Sequence, residues 1–172
     1  AVTSQQTAMA RMMAHYDTVL QRDVRNVLVA HAFVTKHGEE AQNTSDSERT
    51  LSVGGSDCVS AELFQAFDYV ALGHLHEAHY VLRESIQYAG SPLKYSVSEQ
   101  HHKKGYLHVE LRDKGDVRVE KVLLAPRRDM RTVETTLNEL LHMPRSDDYV
   151  FVKLLDEQAV QPPMEQVRTV FP

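Results

Sequence analysis

Asp68-Tyr69-Val70-Ala71-Leu72-Gly73-His74-Leu75-His76 is a short apolar run that ends on a glycine and two histidines. Residues 69–72 show no polar–apolar alternation, which suits a central strand covered on both faces. Gly73 lets the backbone bend as it leaves the sheet. His74 and His76 are two apart, so in extended chain they point to one side, about 6.6 Å apart along the strand. Two imidazoles so placed can each hold one ion of a metal pair spaced about 3.5–4 Å. The plainer alternative is two solvated loop histidines.

Asn26-Val27-Leu28-Val29-Ala30-His31 repeats the pattern, a β-branched apolar run with a histidine at its C-terminal end. Ligand sites in α/β sheets gather at the carboxyl ends of strands. His31, His74 and His76 therefore form a candidate metal-binding constellation at two strand ends.

The 172 residues, 42% hydrophobic, suffice for one good core or one core and part of a second. A net charge of −5 excludes a basic nucleic-acid coat, so any contact with DNA must use local positive patches. The single cysteine, Cys58, allows no internal disulfide and fits a reducing, cytoplasmic compartment. No apolar run approaches the roughly 20 residues of a membrane span, and no membrane partner is expected. The chain opens on Ala1 rather than Met, directly into a helical pattern, which reads as an internal start.

Along the chain, residues 3–22 predict a helix. Its Met9, Met12, Met13, Tyr16, Val19 and Leu20 recur at helical spacing, and Ser4 is its candidate cap. That methionine stripe reads as core packing rather than a ligand groove. The segment from Gly38 to Arg49 reads as a long polar loop, and Gly54-Gly55 as a tight turn. His37 sits where it could reach a substrate phosphate, or simply face water. Ser60 can cap a short helix over 61–67 that delivers the chain to the Asp68 strand. The order helix, strand, loop, helix, strand is an α/β arrangement. Beyond His76, residues 78–83 and 85–89 predict strands with a turn near Glu84, and 106–111 with 117–123 a hairpin. The turn before that hairpin carries His101, His102, Lys103 and Lys104, which could touch a phosphate backbone or stay solvated. A boundary falls at 125–126. After it, an amphipathic helix is expected over 133–143, a strand over 149–155, and a last helix from Pro162-Pro163 to Phe171. One helix, one strand and one helix cannot close a core, so truncation is expected at this end too.

Val-Ala-His-Ala-Phe-Val at 29–34, Asp68 to His76, Tyr-Ala-Gly-Ser-Pro-Leu-Lys-Tyr-Ser at 88–96 and the Lys104-Gly105 turn together resemble the calcineurin-like metallophosphoesterases. Within them, the SbcD-type DNA nucleases are the closer likeness, and it covers essentially the whole chain. The resemblance implies half of a β-sandwich flanked by helices over residues 1–125, the later half of a nuclease domain. It implies the first part of a small α+β capping domain over 126–172. His31 and His74 would bind one Mn²⁺ and His76 the other, with Mg²⁺ as a possible substitute. Such a metal pair orients and deprotonates a water and stabilises the leaving oxygen. The implied activity is cleavage of DNA, exonucleolytic on duplex ends and endonucleolytic on single strands, in repair and recombination. An SbcC-type ATPase is the implied partner and the user of ATP.

The family pattern also requires an early Asp-x-His, a Gly-Asp-x-x-Asp supplying a bridging carboxylate, and a Gly-Asn-His-Asp; none occurs here. Asp57 and Asp68 lie in other contexts. Manganese favours oxygen ligands, so three imidazoles alone make a poor pair site. The expectation is a piece of a longer nuclease, inactive alone, with no catalytic residue beyond metal ligands. Its uncovered apolar surface is expected to make it associate as a homodimer. Two other classes stay open: a phosphoesterase acting on small nucleotides or phosphoproteins, and a non-catalytic partner-binding module.

Overall fold

The computed structural model describes residues 2–38, 58–159 and 161–172. The expected loop after Gly38, the Gly54-Gly55 turn and Asp57 lie outside the described residues. The chain is of the α/β class, with short helices and both parallel and antiparallel strand pairs. No helix among the described residues is long and apolar enough to cross a membrane. The chain forms two compact units, Ala1–Pro92 with Lys103–Leu124, and Leu93–His102 with Ala125–Pro172.

The first unit opens on helix α1 (Gln5–Tyr16). Ser4 caps it reciprocally. Its Oγ accepts from the Thr7 N–H at 3.2 Å and its own N–H donates to Thr7 Oγ1 at 3.1 Å. The helix stops six residues short of the expected end. The Thr18 hydroxyl donates to the His15 carbonyl at 2.7 Å, a local bond that competes with the helical ladder. Met13 is buried, Met9 and Tyr16 pack beside it, and Met12 is exposed.

Strands β1 (Val27–His31), β2 (Val34–Thr35) and β3 (Val59–Ser60) follow, then a 3-10 turn over Ala61–Phe64 that is shorter than the expected helix. Next come β4 (Tyr69–Gly73), β5 (His79–Val81) and β6 (Arg83–Tyr88). The main sheet has the order β1-β4-β6-β5, parallel except for β5 against β6. Leu28, Val70 and Ile86 share one register row, and Ala30, Leu72 and Tyr88 the next. This face packs with Met13, Phe33, Val59 and Phe64 into the first core. The reversal between β5 and β6 falls at Leu82, whose φ is +64°, rather than near Glu84.

The other face carries Val27, Val29 and His31 beside Tyr69, Ala71 and Gly73. β4 is central, as its unalternating sequence requires. Among the described residues β1 is an edge strand, and Val29 is 79% exposed on it. The unit closes with the hairpin β7 (Gly105–Leu111) and β8 (Val117–Leu123), as the alternation predicts.

The second unit departs further from expectation. Residues 133–135 are not helical. They end strand β9 (Met130–Thr135), and helix α2 (Leu137–Leu141) starts only after Thr136. Thr136 is the reason. Its hydroxyl accepts from the Glu139 N–H while the Glu139 carboxylate takes the Thr136 N–H, so the helix cannot begin earlier. β9 pairs in parallel with β10 (Tyr149–Leu154), and α3 (Pro163–Val170) follows. The unexpected strand lets these pieces close a core of Val133, Leu140, Val167, Val170 and Phe171. The expectation that no core could form here is therefore corrected. Leu93–His102 joins this unit, an addition to the single boundary read at 125–126. Lys94 pairs with Asp129 at 2.8 Å, and Gln100 Oε1 accepts from the Thr132 N–H at 2.8 Å.

Candidate metal-binding histidine site

β1 and β4 are neighbours in register, with His31 opposite Gly73. A Cβ added to Gly73 would lie 2.9 Å from His31 Nδ1. The His31 ring therefore lies over Gly73, and any side chain at 73 would displace it. The glycine that reads as a bend in the sequence is a seat for the neighbouring imidazole.

The next residue completes the pair. The rings of His31 and His74 stand edge to face, 5.6 Å between centres. Two imidazoles sharing one ion at about 2.0–2.1 Å have ring centres about 5–6 Å apart, so this spacing suits two ligands of a single metal. Buried Phe33 backs His74, with ring centres 5.9 Å apart. His74 takes this position with φ at +112°, a strained backbone for a residue with a side chain. Such a conformation costs about 1–3 kcal/mol and persists where its surroundings hold it.

Those surroundings are specific. Behind His31, the Tyr88 hydroxyl accepts from the Val34 N–H and shares its proton between the carbonyls of Ala32 and Val34, at 3.0 and 3.1 Å. Behind His74, the carbonyl of His76 accepts from the Ser91 N–H at 3.1 Å, the Ser91 hydroxyl at 3.4 Å and the Lys104 ammonium at 2.9 Å. Lys104 also donates to Ser91 Oγ at 2.8 Å. Gly90, with φ at +76°, lets this loop close; a Cβ there would fall 2.9 Å from the Ala78 nitrogen.

His31 and His74 are thus brought together. No group of three or more His, Cys, Asp or Glu side chains within reach of one metal ion is formed among the described residues. The donors fit part of a metal's ligand set, and the carboxylate that a two-metal pair needs is not among them. The remaining expected residues divide. His37 is exposed and its Nδ1 lies 3.2 Å from the Glu62 carboxylate. His101, in the second unit, and Lys103, in the first, are exposed. Lys104 is corrected: it is buried and bonds inward to the loop behind the histidines, so it does not offer its charge to a phosphate at the surface.

No family model matches this chain.

The supporting roles of Tyr88, Ser91 and Lys104 and the seating role of Gly73 escaped the sequence. One signal was available. Tyr88 falls in the buried phase set by Ile86, and a buried phenol needs a hydrogen-bond partner. Lys104 gave none, because a lysine before a glycine reads as a turn wherever it points.

A single carboxylate ringed by donors lies at the opposite end of β4. The nearly buried Asp68 carboxylate accepts from the Asn26 N–H at 2.7 Å, Lys114 Nζ at 3.1 Å and the Gly115 N–H at 3.1 Å. Burial pushes its carboxyl pKa up, but these donors together outweigh burial and hold it below the usual aspartate value.

Proposed function

We propose that this chain carries the histidine side of a two-metal phosphodiesterase centre of the SbcD type, acting on DNA. The observation that carries this reading is the His31–His74 pair, seated over Gly73 at the carboxyl ends of two adjacent parallel strands. Mn²⁺ is the proposed ion, with Mg²⁺ as the alternative. His31 and His74 would serve one ion and His76 the other. The centre needs carboxylate ligands beyond these, so the chain alone is proposed to bind metal weakly and to leave DNA uncut. An SbcC-type ATPase is the proposed partner. The buried free thiol of Cys58 supports a reducing, cytoplasmic setting.

A second reading is favoured by the uncovered face of β1, where Val27 and Val29 are exposed: a non-catalytic module that docks on a partner.

The test is a Mn²⁺ titration by calorimetry of the chain and of its His74→Ala/His76→Ala variant, with cleavage of duplex DNA measured alongside. The expected result is weak binding, abolished in the variant, and no cleavage. Binding that survives both substitutions would remove the histidines from the site and leave the docking module. Robust cleavage lost on His76→Ala would mean that the centre is complete in this chain.

A further inference from the structure

We infer that the Lys104 ammonium is a positioning group for the histidine loop. It fixes the His76 carbonyl and so holds residues 74–76 in the bent conformation that sets the His74 ring beside His31. The inference deepens the metal-site reading and rests on it for its functional meaning.

His74 is one of two non-glycine residues with positive φ among the described residues, and the only one of the two that bears a metal-binding side chain. Backbone held in such a region relaxes unless neighbouring groups over-determine it. Two residues on, the His76 carbonyl is met by three donors, two from Ser91 and one from Lys104. The Lys104 bond is the shortest of the three, at 2.9 Å, and it comes from a charged donor, which makes a hydrogen bond roughly twice as strong as a neutral one. Lys104 also orients the Ser91 hydroxyl, so both side-chain donors depend on it. Lys104 itself is 8% exposed, one residue before β7 in the same unit, and β7 is paired along its length with β8.

The test uses isotopically labelled full chain and NMR. Lys104→Met keeps an unbranched side chain one atom shorter and removes its donors. The expected result is exchange of the Ser91 amide about tenfold faster, the loss expected of one charge-assisted hydrogen bond, with shifted His74 ring signals. The Ala89 amide, which donates to the Leu72 carbonyl, should be unchanged. Lys104→Arg should restore the ring signals. Ser91→Ala, which leaves Lys104 in place, should move the His74 ring signals in the same direction by a smaller amount. It also serves if Lys104→Met does not fold. Unchanged Ser91 exchange and ring signals, or equal acceleration at Ala89, would overturn the inference and leave Lys104 an ordinary core residue. Added Mn²⁺ separates the two readings. Broadening of the His31 and His74 rings in the parent chain that weakens in Lys104→Met supports both. Local loosening in Lys104→Met with no broadening in the parent chain keeps the positioning role and removes the metal.

Discussion

Asp68 shows how much one side chain can settle. Its carboxylate ties the start of β1, through the Asn26 N–H, to the β7–β8 turn, through Lys114 and Gly115. Because its folded pKa lies below its unfolded value near 3.8, it contributes stability above that value. The contribution is lost as pH falls through the lower, folded pKa. Asp68→Asn should therefore melt below the parent chain at neutral pH, with the gap narrowing as pH drops below about 4. Thermal scans of both proteins across pH check this; a gap that widens towards acid would contradict it. Gly73 makes a matching case at the other end of β4. Gly73→Ala should force the His31 ring away, since the added methyl would overlap its Nδ1. Because the group that must shift is the exposed His31 side chain, the cost to stability is small beside the displacement of the ring. Urea unfolding, with loss of the His31–His74 ring contact in NMR, measures both effects.

Among the elements, strands were more legible than helix limits. β1, β4 and the β7–β8 hairpin follow from apolar runs and alternation, because burial on a pleated sheet has a fixed period of two. The expected helix over 133–143 failed because Val133, Leu137, Leu140 and Leu141 fit a helical stripe while the chain changes element in mid-stripe. The Thr-x-x-Glu box at Thr136 and Glu139 was in the sequence and marks the start. It also makes a test with opposite signs. Thr136→Ala should destabilise α2 by ~1 kcal/mol if Thr136 is the cap. In a helix interior the same change would stabilise by about 0.5 kcal/mol. Amide-exchange protection of residues 139–141 reads the sign. The site was legible to the same degree. The histidines at strand ends follow from pattern, whereas their supports come from Ser91 and Lys104, far along the chain, and no local spacing reports such partners.

For the molecule as a whole, each unit has its own apolar core, and the first carries an edge strand, β1, with apolar side chains exposed. A parallel sheet is ordinarily covered on both sides. Val27 and Val29 are exposed on β1, which is an edge strand among the described residues. Self-association that rises with concentration is the expected outcome, with Val29→Lys reducing it, because a charge on an edge strand opposes pairing with another chain. Sedimentation velocity across a concentration series measures this; identical behaviour of parent and variant would place any association elsewhere.

The sequence holds seven tyrosines and no tryptophan. Its near-ultraviolet optical signal is therefore a tyrosine signal. Tyr88 is fully enclosed, bonded to the backbone just beyond His31, with its ring 5.0 Å from that of His79. A phenol so fixed gives sharp near-ultraviolet dichroism, while tyrosines in water average theirs away. Tyr69 is the other buried tyrosine among the described residues, so the part of the dichroism lost in Tyr88→Phe is a label-free optical reporter for the loop beyond His31.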